Sequence, residues 1–264
     1  MVKRCIYQVY LGPKNKLYDF CTNSVARYCE KYGIEHVIQR EPILRIQPDV
    51  LRSGRSKMAV ERMGYLPIYE KENAFDLLGE YDQISIIDAD IYVREDAPNV
   101  FEAMNHDKYA FGAVVERTMP ITLPYMRKIT AYSHGQYNPV KSHTDFKWNH
   151  MGAEFMNMGM IVINTKLKPF INGTAKEFIT QDRFRDFVDG IGMWKWSTDQ
   201  TLLNYWIRKD GVPYECMEWK WNGLYRGIKD EHLPDTYFIH FFLKDHLPEK
   251  GENMDKFIKE QNLL

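Results

Sequence analysis

The sequence predicts an α/β protein: one mixed, mainly parallel sheet with helices on both faces. Two observations carry this. Short apolar, β-branched runs alternate with helical stretches through the first half of the chain, and a β-α-β-α-β order implies right-handed crossovers and parallel strands. The 264 residues suffice to bury a sizeable core and contain no repeat, low-complexity segment or linker that would divide them, so one domain over 1–264 is expected.

The elements follow in order. Cys5 to Leu11 reads as a strand closed by Gly12-Pro13. Leu17 to Tyr32 places Phe20, Val25 and Tyr28 at helical spacing and stops at Gly33, a residue suited to the left-handed helix cap. His36-Val37-Ile38 is a short second strand, and Lys57 to Leu78 is mostly helical with breaks near Gly64 and Pro67. Ser85-Ile86-Ile87 forms a buried third strand, and Tyr109 to Val115 a fourth. Thr118 to His150 reads as a long polar excursion with one helix near Leu123–Ala131; excursions of that length are usually functional or disordered. Phe155 to Asn164 is an apolar strand and Thr198 to Arg208 a helix capped by Ser197 or Thr198. Asp235 to Phe242 is a late strand, and a short helix follows Asn253.

Composition narrows the function classes. A formal net charge of −1 excludes a general pull toward nucleic acid or anionic membrane. No apolar run approaches the roughly 20 residues of a membrane helix. Cys5, Cys21, Cys29 and Cys216 form no metal-type pair and read as reduced packing thiols. Met1-Val2-Lys3-Arg4 runs straight into a strand rather than a leader. A soluble protein of a reducing, cytoplasmic compartment is expected.

The chemistry centres on Ile84-Ser85-Ile86-Ile87-Asp88-Ala89-Asp90, an apolar strand ending in two acids. Two carboxylates at a strand end need a compensating cation or an ordered set of donors, and carboxylate oxygens suit hard ions such as Mg²⁺ or Mn²⁺, which also bind phosphate oxygens. Ligands of parallel sheets bind beyond the carboxyl ends of the strands, where this pair falls. Four further features line up with it. Asn157 and Gly159 stand at the start of the strand Phe155 to Asn164, where a backbone could approach a ligand closely. Asp199 and Gln200 stand in the first turn of a helix. His240 ends an apolar strand and is followed by Lys244, and Lys71 precedes Asp88 by 17 residues on the preceding helical stretch.

The ordered set IIDAD, FMNMGMIVIN, TDQTLLN and HFFLK resembles the metal-dependent GT-A glycosyltransferases, particularly the retaining family-8 galactosyltransferase and glycogenin type, over about Cys5 to Lys244. The resemblance implies a GT-A, Rossmann-like domain with a nucleotide-binding half of about 1–115 and an acceptor-side half of about 116–264. It implies that Asp88, Asp90 and His240 ligate Mn²⁺ or Mg²⁺, and that Lys71 contacts the donor nucleotide or the acids. Ala89 lies within the donor site, Asn157 and Gly159 line the donor sugar, and Val9 and Tyr10 lie where the base binds. Asp199 holds sugar hydroxyls and Gln200 stands next to the anomeric carbon. Two departures are visible. Met158 replaces the usual small residue, and the ending lacks the family glycine, so either Lys244 or His246 meets the diphosphate.

The activity implied is transfer of a sugar, with retention, from a UDP-linked donor to a hydroxyl of a glycan or other acceptor. The acceptor is expected near the Thr118–His150 excursion and near Trp219, Trp221, Asn222 and Tyr225, whose aromatic faces could stack on a sugar. A nucleotidyltransferase would carry a Gly-rich basic signature after the first strand, where only Gly12-Pro13-Lys14 stands. A non-catalytic sugar-nucleotide or carbohydrate binder, and an inverting transferase with Glu154 or Asp145 as base, are the alternatives.

Overall fold

The computed structural model describes residues 2–50 and 54–261. The first strand, β1 (Arg4–Val9), leads into helix α1 (Lys16–Tyr32), then β2 (Glu35–Gln39), α2 (Gly54–Met63), β3 (Gln83–Ile87) and β4 (Ile91–Val93). Next come β5 (Phe111–Val115), α3 (Leu123–Tyr137), the short pair β6 (Trp148–Asn149) and β7 (Gly152–Ala153), and the long β8 (Met156–Asn164). Three short helices, α4 (Lys168–Ile171), α5 (Ala175–Ile179) and α6 (Arg185–Asp189), precede α7 (Asp199–Lys209). The chain closes with β9 (Tyr214–Met217), β10 (Gly223–Leu224), β11 (Phe238–His240) and α8 (Met254–Glu260).

Six strands form the central sheet in the order β2-β1-β3-β8-β5-β9. All its pairings are parallel except those of β8, which runs antiparallel to β3 and β5. The expected mixed, mainly parallel α/β architecture is therefore present. Strand β8, from the second half of the chain, lies in the middle of the sheet, so both halves share one core. Every residue of β3, β5 and β8 is buried, which is why these strands read as continuous apolar runs rather than alternating ones.

A second sheet, β10-β11-β4, stands beside the first. Its strands are only two or three residues long, too short to leave a period in the sequence. It decides where the acid pair sits. Asp88-Ala89-Asp90 is the link between β3 of the large sheet and β4 of the small one. The Asp88 amide donates to Gly159 O of β8 (2.8 Å), and the Phe241 amide after β11 donates to Asp90 O (2.9 Å). One three-residue link thus ties both sheets together.

Capping chemistry places the helices. Asn15 accepts from the Tyr18 amide at the start of α1, and Gly33 closes it at φ 61°. Thr198 caps α7 by accepting from the Gln200 amide, which leaves Asp199 and Gln200 in the first turn. Asn204, one turn further on, is fully buried and brackets β8, accepting from the Met156 amide and donating to its carbonyl, both at 2.8 Å. Trp206 packs between Phe75 and Phe178 on the same helix.

Several boundaries differ from expectation. The stretch expected to be helical over Lys57 to Leu78 is α2 followed, across a bend at Gly64, by a 3₁₀ segment Pro67–Leu77. The excursion after Thr118 is largely structured: α3 runs on to Tyr137, and Asn138–His143 and the β6–β7 pair follow. Its aromatic residues are the reason, since Tyr137 packs against Phe146 and Phe155. The late strand is confined to Phe238–His240, because a 3₁₀ turn occupies Asp230–Asp235. Cys5, Cys21 and Cys29 are buried free thiols, whereas Cys216 is free and exposed.

Candidate functional site

The two acids and His240 converge. One ligand atom from each of Asp88, Asp90 and His240 lies within 4.8 Å of the others, the group among the described residues that could hold a metal ion. His240 Nε2 stands 3.3 Å from Asp90 Oδ1 and 3.9 Å from Asp88 Oδ2. Two carboxylates and one imidazole are a mixed oxygen and nitrogen donor set, which suits Mn²⁺ and accommodates Mg²⁺ less well. The opposite ring nitrogen, Nδ1, bonds Asn222 Oδ1 at 3.0 Å. Such a bond to the far nitrogen is what orients a ligating histidine. The residues fit the ion.

Space for the ring comes from glycine. A Cβ on residue 159 would lie 2.3 Å from His240 Cε1 and 2.6 Å from Nδ1, distances no side chain tolerates. Gly159 sits in a bulge, since the pairing of β8 with β5 jumps from Ala113↔Ile161 to Val114↔Asn157. The expected close approach at Gly159 is therefore real, but what approaches is the histidine ring. Two carbonyls of this stretch serve the site: Gly159 O accepts from the Asp88 amide, and Met158 O accepts from Lys71 Nζ at 2.6 Å.

Lys71 is a buried cation between two acids, 3.0 Å from Asp88 Oδ1 and 2.8 Å from Asp199 Oδ2. Burial alone would push its pKa down, but Asp199 and Asp88 outweigh that and hold it above the usual lysine range. Burial raises Asp88, with Lys71 opposing. For Asp90 burial also acts upward, but the adjacent His240 wins and lowers it. His240 itself is raised: burial opposes its charge, and Asp90 more than compensates.

These groups front a cavity of about 230 Å³ lined by Val9, Lys71, Asp88, Ala89, Asp90 and Asp199 among others. Six expected site residues therefore share one hollow. Tyr18, Pro67, Ile68 and Ile87 complete it. Tyr10 does not line it. Its ring is 2 % exposed, its hydroxyl donates to Asp19 Oδ1 (2.8 Å), and the Arg40 guanidinium lies 4.0 Å from the ring centroid. The ring at the cavity is Tyr18, whose edge meets Tyr10 and whose hydroxyl burial pushes to about 12.

Asn157 and Gln200 stand behind the cavity. Gln200 Nε2 donates toward Glu116 Oε1 (3.4 Å), and its Oε1 accepts from the Met158 amide (3.3 Å). Asn157 Nδ2 donates to the same Glu116 oxygen at 2.7 Å. Trp221 and Asn222, expected on the acceptor side, are interior. Trp221 is 5 % exposed with its ring against Tyr237 and Phe238, and Asn222 is fully buried behind His240. Burial against the small sheet removes the ring faces a sugar would need. Lys244 begins a 3₁₀ turn that also holds His246, which is exposed; the Lys244 side chain lies outside the described residues.

Three participants escaped the sequence reading. Glu116 follows β5 as Asp88 follows β3, an acid ending an apolar strand, so a signal was present. Tyr18 sits on the face of α1 turned toward the cavity. Glu72 is 1 % exposed with neither carboxylate oxygen bonded; burial, then Asp199, raise its pKa well above the carboxylate range. No local pattern marks such a buried acid.

The fold is that of the GT-A glycosyltransferases. A glycosyltransferase involved in glycosylation of the major capsid of PBCV-1 superimposes with a TM-score of 0.52 at 13% identity, over 96% of this chain and 99% of that one. An active-site mutant of LgtC matches at 0.51 and 12% over 97% and 94%, and mouse xyloside xylosyltransferase 1 at 0.50 and 11% over 94% and 100%. No family model matches the sequence, and no curated protein matches it.

Proposed function

We propose that this chain is a glycosyltransferase that moves a sugar from a nucleotide-sugar donor, UDP-linked, to a hydroxyl of a glycan or other acceptor with retention. The observation that carries it is the convergence of Asp88, Asp90 and His240, whose two acids line a cavity together with Lys71 and Asp199. A divalent ion held by those three ligands, Mn²⁺ or Mg²⁺, supplies positive charge to a departing diphosphate. Lys71 bridges Asp88 and Asp199 and holds the two carboxylates in place. Asp199 presents carboxylate oxygen to sugar hydroxyls, and Val9 and Tyr18 offer apolar and aromatic surface to the nucleotide. Lys244 or His246, beyond His240, meets the diphosphate.

The acceptor oxygen bonds to the anomeric carbon on the leaving-group side as the carbon–oxygen bond to phosphate breaks, and the hydroxyl proton passes to the departing phosphate oxygen. Gln200, an amide rather than a carboxylate, favours this route over a covalent one. An inverting mechanism lacks support in Glu154, because Arg117 (2.6 Å) and Arg208 (3.5 Å) both engage it. Buried free Cys5, Cys21 and Cys29 support a reducing, cytoplasmic setting, and among the described residues no helix is long and apolar enough to cross a membrane. The test is hydrolysis or transfer from a panel of nucleotide sugars with and without Mn²⁺. Turnover should need the ion, vanish in Asp90→Ala and yield product with the donor's anomeric configuration by NMR. Activity unmoved by EDTA would overturn the reading, and tight donor binding without turnover would make the chain a binding protein.

A further inference from the structure

We propose that a second pocket, beside the cavity of the acid pair, seats a flat apolar ring of the acceptor, so that the chain glycosylates acceptors carrying an aryl group. The inference rests on the glycosyltransferase reading above and adds to it the chemical class of the acceptor.

The pocket measures about 170 Å³. Its walls are Ala59, Leu66, Pro67, Ile68 and the Tyr69 ring. Such walls disfavour a bare polyol, whose buried hydroxyls would find few partners. An engineered apolar cavity of about 150 Å³ takes one benzene molecule, so the size here suits a single six-membered ring. Arg55 also lines the pocket and is exposed, with no carboxylate in ion-pair range among the described residues. A planar guanidinium is a good cover for an aromatic face.

The place of the pocket selects the acceptor rather than the donor. Pro67 and Ile68 line both the pocket and the cavity that holds Asp88, Asp90 and Asp199. Ser197 lines the pocket, and Asp199, two residues on, lines the cavity. A ring seated in the pocket thus has a hydroxyl-bearing neighbour group across the Pro67–Ile68 wall, on the side where Asp199 is proposed to hold the donor sugar. Val9 and Tyr18, proposed to meet the nucleotide, belong to the cavity alone.

The pocket is built rather than incidental. Helix α2 is tied to the chain that leads into α7: Ser56 Oγ donates to Val188 O (2.8 Å) and the Arg55 amide to Lys195 O (2.9 Å). Gly54, at φ 80°, permits this approach, since a Cβ there would lie 2.2 Å from Lys195 O. Tyr69 is 1 % exposed, and its hydroxyl has no partner among the described residues, which is costly for a buried polar atom. Burial raises its pKa, Asp199 adds to this and Arg55 opposes it, so the hydroxyl stands in the field of both the cavity's acid and the pocket's cation. The glycosidic oxygen of an aryl glycoside would supply the acceptor it lacks.

The test begins with the wild-type protein and phenol as probe. Carbon-13 methyl NMR should show saturable shifts at Ala59 and Ile68 that persist when UDP is added. In transfer assays with donor and Mn²⁺, phenyl glycosides should show a KM at least about 10-fold below that of methyl glycosides of the same sugars, the gain from burying one aromatic ring. Ala59→Phe, which fills the pocket from its own wall, should raise the phenyl KM to the methyl value. Absence of phenol shifts at these methyls overturns the proposal in the wild type, which covers a phenylalanine variant that does not fold. Loss of the shifts on adding UDP overturns it too, because the pocket then belongs to the donor. Donor hydrolysis with no preference for phenyl over methyl glycosides does the same while leaving the glycosyltransferase reading intact. Absence even of donor hydrolysis would remove that reading itself, and the acceptor assignment with it.

Discussion

The ring of His240 occupies the volume that a side chain on Gly159 would fill, with Cε1 2.3 Å from where that Cβ would stand. Gly159 also sends its carbonyl to the Asp88 amide. A residue without a side chain is therefore the pivot about which one acid and the histidine are brought together.

Gly159→Ala should displace the ring rather than unfold the chain, since the methyl group meets a side chain and not the backbone of a neighbouring strand. We expect Mn²⁺ affinity to fall by at least about 10-fold, measured by calorimetry, with the circular dichroism spectrum intact. Unchanged affinity would mean that His240 does not ligate.

Lys71→Met should destabilise the metal-free protein by about 2–4 kcal/mol in urea melts, because Asp199, 5 % exposed at its side chain, loses its only ion-pair partner among the described residues. Millimolar Mn²⁺ should restore part of the loss by neutralising Asp88. A variant as stable as the wild type without metal would contradict the assignment of Lys71 as the site's fixed cation.

Acid stability should depend on His36. Burial, then Arg40, push its pKa from 6.5 down to about 4, and its Nε2 bonds Gln8 Oε1 at 2.9 Å. Neutral in the folded chain above about 4, it binds a proton on unfolding where the pH lies between about 4 and 6.5. The unfolded state then holds more protons, so stability falls as pH drops from 6.5 through about 4. Partial exposure reduces the contribution to about 1–2 kcal/mol. His36→Gln should flatten this limb of a stability-against-pH curve, and an unaltered limb would exclude His36 as its cause.

Trp221→Ala should cost about 3–5 kcal/mol of stability because the indole is interior, packed on Tyr237 and Phe238. The expected readout is a lower thermal midpoint. A selective rise in acceptor KM at unchanged stability would instead return this residue to the acceptor site.

Much of this was legible before any coordinates. The parallel strands announced themselves because β3 and β8 are buried on both faces and must be continuously apolar. The cluster of Asp88, Asp90 and His240 was legible because acids at the end of such strands, and a histidine at the end of another, are costly without a compensating partner. The acceptor side was not. Trp221 and an exposed stacking tryptophan have the same sequence signature, and only the small sheet, whose strands are too short to show a period, put it inside. Glu116 was only half legible: an acid ending an apolar strand is a signal, but nothing local shows that it meets two buried amides rather than solvent.

By itself the sequence determined the central sheet's strands, the capped start of α7 that holds Asp199 and Gln200, and the residue types at the site. Local patterning suffices for these because burial period and capping are properties of neighbouring residues. Tertiary structure decided which side chains share the cavity. Lys71 meets Asp88 and Asp199, Gly159 yields to His240, and Glu116 meets Asn157 and Gln200. Those partners come from different strands and helices, and only the packing of two sheets across Asp88-Ala89-Asp90 brings their polar atoms within bonding distance.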